Sequence, residues 1–174
     1  MKAIVFIDIA EGQIKKVSLE AASYAAEASG GHAEAIIIGA CNSDLSVLGN
    51  HGISKVHHVD QQSLSQFDAA QYCKIIDELS SSFDLIIFPG STNGKSIAPR
   101  LSVALKAGMV SGAVALPDSS SRFVVKKSVF SGKAFVNISI NTSKKIIVIN
   151  PNSFGIKNIP VSIEIFKVNI TVQP

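Results

Sequence analysis

The sequence predicts an α/β fold, a doubly wound and mostly parallel sheet with a C-terminal antiparallel hairpin extension. Three observations carry this. Five short apolar runs alternate with helix-period stretches through residue 116. The runs are almost continuously apolar, the pattern of strands covered on both faces. Beyond Pro117 the pattern changes to strict in-and-out alternation, the mark of strands with one wet face.

The first strand is expected over residues 3–9, whose AIVFIDI has only one polar side chain. Ile14, Val17, Ala21, Tyr24, Ala25 and Ala28 then recur at helical spacing, and Gly30-Gly31 stops that helix. Residues 33–40 give the second strand, 44–48 a short helix closed by Gly49, and 55–59 the third strand. Tyr72, Ile75, Ile76, Leu79 and Phe83 mark the next helix, and residues 85–88 the fourth strand. Ile97, Ala98, Leu101, Ala104 and Leu105 mark another helix ended by Gly108. Pro99 is tolerated in a first helical turn and costs about 3 kcal/mol in an interior, which places the helix start near Ser96. Residues 110–116 form the fifth strand. With the first strand central and the fourth beside it, the order is 3-2-1-4-5, wound by right-handed crossovers.

In the C-terminal part, Asp118-Ser119-Ser120-Ser121 reads as a turn. Residues 122–130 and 134–140 flank Ser131-Gly132-Lys133 as a hairpin. Residues 145–149 and 161–168 supply further strands of an antiparallel extension. The 174 residues are expected to form a single domain, with 1–116 the alternating core and 117–174 the extension.

Composition narrows the function. Hydrophobic residues make up 47%, yet aromatics only 6% and tryptophan is absent, so the core is aliphatic. Cys41 and Cys73 lie in no CxxC motif, which suits a reducing compartment. No run approaches the roughly 18 apolar residues of a membrane span, and no signal or transit peptide precedes the first strand. A bacterial-type cytoplasmic location is expected. The net charge of +3 is uneven: residues 1–121 hold eight Lys/Arg against twelve Asp/Glu, and residues 122–174 hold eight against Glu164 alone. Exposed lysines discourage edge pairing, and a basic face also suits an acidic partner or a phosphate.

The segment DLIIFPGSTNGKS, residues 84–96, suggests phosphate binding. A P-loop requires four residues between its first glycine and its Gly-Lys pair. Gly90 and Gly94 leave three, and one register back stands Pro89, which has no N–H. What remains is a strand end running into a helix start, a junction where anions bind amide groups and the helix dipole. In an open α/β sheet, ligands bind beyond the strand carboxyl ends where strand order reverses. The loops 8–13 and 89–94 flank that crevice. Asp8, Gly90, Ser91, Thr92, Asn93, Gly94 and Lys95 are therefore the candidate cofactor-binding residues. The plainer role for Ser91, Thr92 or Asn93 is capping the helix.

Other chemistries lack actors. His57 and His58 are adjacent in a strand and point to opposite faces, while His32 and His51 are isolated, so no metal site is expected. No nucleophile elbow, Cys–His pair or dinucleotide fingerprint is present. The basic residues have no interleaved aromatic platform for nucleic acid. No catalytic residue is assigned.

Three stretches carry a family resemblance. They are GSTNGKSIAPRLSVALKAGMVSGAVAL (90–116), SVFSGKAFVNI (128–138) and KKIIVINPNSFG (144–155). Together they resemble the N-terminal domain of the electron-transfer flavoprotein alpha subunit. The first is similar to the family's small-residue loop and alanine-rich helix, the second to its aromatic hairpin turn, the third to a strand followed by proline and phenylalanine. Departures are Gly112 after Ser111, Ser131 and Lys133 in the turn, and Asn150 before the proline. The resemblance implies a subunit that pairs with a beta subunit and holds FAD in a second domain beyond Pro174. Such a pair shuttles electrons from flavin dehydrogenases to a membrane quinone reductase or another acceptor. The present domain is then a scaffold, redox-silent by itself and expected to hold no cofactor, as a fragment or a stand-alone relative. Phe130, Gly132 and Lys133 are the expected docking residues. Two alternatives stand beside it. One is a stand-alone adenine-nucleotide-binding module using the same crevice, with Asp8 near base or ribose. The other is an ATP-pyrophosphatase, which needs a Ser-Gly-Gly-x-Asp-Ser loop where this chain has DIAEG.

Overall fold

The structure, a computed structural model, describes residues 1–31 and 33–170. Strand β1 (Ala3–Ile7) is buried along its whole length. Two-residue strands β2 (Ile9–Ala10) and β3 (Gln13–Ile14) then form a tight hairpin. Its turn, Glu11-Gly12, has φ of 52° and 75°. There follow α1 (Lys16–Ala28), β4 (Ala33–Ile38), a 3-10 turn (Leu45–Asn50) and β5 (Ile53–Val59). Next come α2 (Ala69–Leu79), β6 (Leu85–Phe88), α3 (Thr92–Leu105) and β7 (Gly108–Ala113). The last strands are β8 (Val124–Val129), β9 (Ala134–Ser139), β10 (Lys145–Ile149) and β11 (Glu164–Lys167).

One nine-stranded sheet runs β11-β5-β4-β1-β6-β10-β7-β8-β9. All pairings are parallel up to β7, and β8 and β9 are antiparallel. The α/β class and the antiparallel hairpin agree with the sequence reading. The order does not: β10 inserts between the expected fourth and fifth strands. Residues 145–149 and 164–167 are parallel members of the sheet, not parts of an antiparallel extension. The reason for β10 lies in its sequence: KIIVI buries four consecutive residues, which only a strand covered on both faces does. The β8–β9 hairpin, rather than a crossover helix, links β7 to β10: it extends the sheet on one side of β7, and the chain returns as β10 on the other.

Side-chain alternation along the strands splits the core in two. Ala3, Val5 and Ile7 face α1, with Ala21, Tyr24 and Ala25. Ile4 and Phe6 face α2 and α3, with Ile75, Ile76, Ile97 and Leu101. The layers are mostly aliphatic, with Phe6, Tyr72, Phe83 and Phe88 buried in the second, and each buried Ile is worth about 2–5 kcal/mol against alanine.

Helix α1 buries polar residues too, because the β10–β11 connection crosses over it. The Glu20 carboxylate, 3% exposed, accepts the backbone N–H groups of Asn152, Phe154 and Gly155, each at 2.9 Å. Ser23 accepts Lys157 N–H at 3.0 Å. Tyr24 donates to Ala115 O at 2.9 Å and meets the Phe154 ring edge-on. These ties carry the chain across to the far edge, where β11 pairs with β5.

Helix α3 starts at Thr92, four residues before the expected start, and Pro99 sits inside it. Ser91 explains the early start: its hydroxyl accepts Gly94 N–H at 3.1 Å and fixes the first turn. Pro99 lies on the exposed side, so the Lys95 carbonyl that loses its helical donor faces water.

Candidate functional site

The first and fourth expected strands, β1 and β6, are direct neighbours, paired Ala3 with Leu85 through Val5 with Ile87. Their carboxyl ends therefore open on one crevice. Asp8 stands at its centre, 1% exposed. Its Oδ2 pairs with Lys15 Nζ at 2.7 Å and its Oδ1 accepts Asn93 Nδ2 at 2.9 Å. Its own N–H donates to Ser18 Oγ at 2.8 Å, and Ser18 Oγ donates back to the Asp8 carbonyl at 3.0 Å. Strand end, α1 start and α3 start are thus joined through one carboxylate.

The seven candidate crevice residues separate by position. Asp8 and Asn93 come together and line a cavity of about 410 Å³. Gly90 packs on the next strand's end: a Cβ there would lie 2.5 Å from Ile149 O and 2.6 Å from Pro151 Cδ. Gly94 sits so close to the Pro89 carbonyl that a side chain would collide with it. Ser91 is the α3 cap, and Thr92 and Lys95 are exposed. These residues do not fit a flavin dinucleotide. Both Asp8 oxygens are engaged, the Gly94 amide is taken by Ser91, and the Gly90 backbone is covered.

The rest of the cavity comes from residues that the sequence reading did not select, including Phe6, Gly12, Ile38, Asn42, Phe67 and Tyr72. Tyr72 donates to Leu64 O at 2.7 Å. Burial first, and the Asp8 charge second, push its hydroxyl pKa up to about 12. Burial also pushes the Tyr24 hydroxyl upward.

The histidines are engaged singly. His57 Nε2 lies 2.6 Å from Glu34 Oε2, and its ring stacks on Phe166. On the other face, His58 Nε2 meets Gly39 O at 2.9 Å. His51 Nδ1 meets Lys157 O at 2.8 Å, and His32 lies outside the described residues. Among the described residues no three His, Cys, Asp or Glu side chains cluster as metal ligands. No helix among them is long and apolar enough to cross a membrane.

The β8–β9 hairpin carries a different surface. Phe130 and Ser131, φ 50° and 53°, precede Gly132 at 86°, so three successive residues are left-handed. A bulky residue there is strained by roughly 1–2 kcal/mol. Phe130 is 79% exposed, Phe135 57% and Val136 39%. Lys133 is exposed and closes the turn through its N–H to Phe130 O at 3.1 Å. Lys126 Nζ sits 4.7 Å above the Phe135 ring. A groove of about 400 Å³ runs between the hairpin and the end of β7, lined by Val114, Ala115, Lys126, Gly132, Phe135 and Ser153 among others.

Charge concentrates on the same hairpin. Lys144 Nζ donates to the carbonyls of Ser80, Ser81 and Phe83, and Lys145 Nζ to those of Thr142 and Ser143. Lys157 pairs with Glu27, and Lys167 with Asp60, whose carboxyl that hydrogen bond holds below the usual range. Among the described residues, Arg122, Lys126, Lys127 and Lys133 form no ion pair. Phe135 and Val136 were missed because alternation assigns one face of a strand to the core, and a projecting hairpin has water on both. Glu20 had a signal: it falls on the apolar stripe between Val17 and Tyr24.

Across residues 3–169 the chain matches the family model described as electron transfer flavoprotein domain. The chain belongs to the electron transfer flavoprotein family. Its similarity lies with alpha subunits. It is 26% identical over 156 residues to the electron transfer flavoprotein subunit alpha of Bacillus subtilis, covering 87% of this chain and 48% of that one. The Syntrophomonas wolfei alpha subunit is 23% identical over 139 residues, 78% of this chain and 44% of its own. The Pseudomonas aeruginosa alpha subunit is 25% identical over 105 residues, 59% and 32%. The chain thus spans about half or less of these curated relatives.

Proposed function

We propose that this chain is the scaffold part of an electron transfer flavoprotein alpha subunit and docks a beta subunit through its β8–β9 hairpin. The observation that carries this is the hairpin surface: Phe130 and Phe135 exposed beside Arg122, Lys126, Lys127 and Lys133, which form no ion pairs among the described residues. Exposed aromatic side chains bordered by cations at one protruding site fit an interface with an aromatic centre and a charged rim. Strain at Phe130 agrees, since a costly backbone conformation persists where it serves contact. Phe130, Gly132 and Lys133 act together here: the ring inserts, the glycine completes the left-handed turn, and the ammonium meets an acidic partner surface.

FAD belongs, on this reading, to a second domain of the complete subunit, where it supplies one- and two-electron chemistry. The present residues position that domain and the beta subunit. Electrons pass from flavin dehydrogenases to an acceptor through the assembled pair, and this chain alone is redox-silent.

The test mixes the chain with its companion beta subunit and measures association by calorimetry and gel filtration. Binding is expected, and Phe130→Ser with Lys133→Glu should weaken it at least about tenfold, equal to roughly 1.4 kcal/mol. Unchanged affinity in that double variant would remove the hairpin from the interface. The chain equilibrated with FAD and desalted should show no flavin absorbance; retained flavin would overturn the division between the domains.

A further inference from the structure

The cavity beside Asp8 is unused by the docking role and lies in another part of the sheet. It opens where the ends of β1 and β4 meet the start of α2. Its volume of about 410 Å³ falls within the roughly 300–1,000 Å³ of small-molecule sites. The inner wall is apolar: Phe6, Ile38 and Tyr72 are buried and Phe67 is half-buried. Tyr72 meets Phe6 and Phe67 edge-on, with centroids 6.2 and 5.1 Å away, so the three rings form a fixed wall. The rim is polar. Asn42, Gln62, Ser65 and Glu11 line it, and their side chains are exposed with no hydrogen bond to the described residues.

Charge sorts the ligands. Asp8 and Glu11 are the charged groups lining the cavity, and both are acidic. The nearest cation, Lys15, is held by Asp8 at 2.7 Å. The first turn of α3 is capped by Ser91, which takes the Gly94 amide. A phosphate would meet carboxylates without a compensating ammonium. An uncharged planar ring meets apolar side chains and two carboxamides that are not engaged elsewhere.

We propose that this cavity binds an uncharged purine nucleoside of the adenosine type, without phosphate. A carboxamide offers a donor and an acceptor side by side, the pattern that pairs with N6–H and N7 of adenine. Asn42 or Gln62 presents it at the rim while the base lies against Phe67 and Tyr72. The Glu11 carboxylate accepts a ribose hydroxyl, as acidic residues do at nucleoside sites on this kind of sheet.

Calorimetric titration of the chain alone tests this, so its result is separate from beta-subunit docking. Adenosine should bind, with AMP, ATP and inosine each about tenfold weaker or more. Inosine presents a carbonyl in place of the exocyclic amine, and the nucleotides bring charge to an acidic rim. Ser65→Trp fills the mouth from an exposed position and should abolish adenosine binding at unchanged melting temperature. Asn42→Leu, also exposed, should weaken it about tenfold, and serves if Ser65→Trp folds poorly. Tighter binding of AMP than adenosine, no adenosine heat up to millimolar concentration, or indifference to both variants would overturn the assignment.

Discussion

Asn93 and Asp8, 85 residues apart, share a 2.9 Å hydrogen bond that joins the start of α3 to the end of β1. The second carboxylate oxygen belongs to Lys15. The Asp8 side chain is 2% exposed and that of Lys15 is 30% exposed, so the two ends of the ion pair are unequal. Removing Lys15 strands a buried charge, whereas a Lys15 without its partner turns to water. Lys15→Ala should therefore cost about 3 kcal/mol and Asp8→Asn about 1 kcal/mol. Urea denaturation of the two variants checks the order, and an equal loss would contradict it.

Glu20 holds the strap between β10 and β11 through three backbone donors. Glu20→Ala leaves those amides without their acceptor and should cost about 3 kcal/mol. Hydrogen exchange at Asn152, Phe154 and Gly155 should accelerate well beyond that of β1, because the strap opens locally before the sheet does. Uniform acceleration across the molecule would instead indicate global loss only.

Both tyrosines of the chain are raised, Tyr72 to about 12 by burial and then by Asp8. A raised folded pKa means that the unfolded chain releases the proton first, near 10. The stability associated with neutral Tyr72 is complete below pH 10 and disappears as pH climbs through about 12. An ultraviolet titration of tyrosinate should show almost no ionisation at pH 10 in the folded protein. Half-ionisation there would refute the burial argument. Tyr72→Phe should leave a single high-pKa step, from Tyr24.

Phe130 pairs exposure with a left-handed backbone. Asparagine adopts that conformation more readily than phenylalanine. Phe130→Asn should raise stability by up to about 1 kcal/mol while weakening beta-subunit binding. Improved thermal stability without loss of affinity would mean that the strain is real but that the ring makes no contact with the beta subunit.

Much of the framework was legible in residues. Continuous apolar runs gave β1, β4, β6 and the parallel class, and the adjacency of β1 and β6 followed from the winding rule. The position of β10 was obscured by chain order: it follows a hairpin, so it was grouped with antiparallel strands although KIIVI has the composition of a central one. The same rule, applied to composition before order, places it correctly. Pro99 misplaced the start of α3 because intrinsic propensity was set above the Ser91 cap and the buried face of Ile97, Ala98 and Leu101. At the crevice, Asp8 and Asn93 could be named from their strand and loop positions. Their mutual bond and the Lys15 pair could not, since each depends on side-chain reach across segments distant in sequence. The wall of Phe67 and Tyr72 was hidden by the ordinary helical spacing that Tyr72 shares with core residues.

The late arrival of β10 bears on how the molecule assembles. Strands β6 and β7 are neighbours in sequence order but are separated by a strand made more than thirty residues after β7. On the ribosome, a chain that has emerged only through the hairpin has a gap in the middle of its sheet, with unpaired amide and carbonyl groups along both sides. Closure requires a long-range insertion, which carries the loop-closure cost of non-local pairing. The nascent domain therefore passes through an interval in which its most apolar seam is open, and a holding chaperone would find its target between residues 85 and 113.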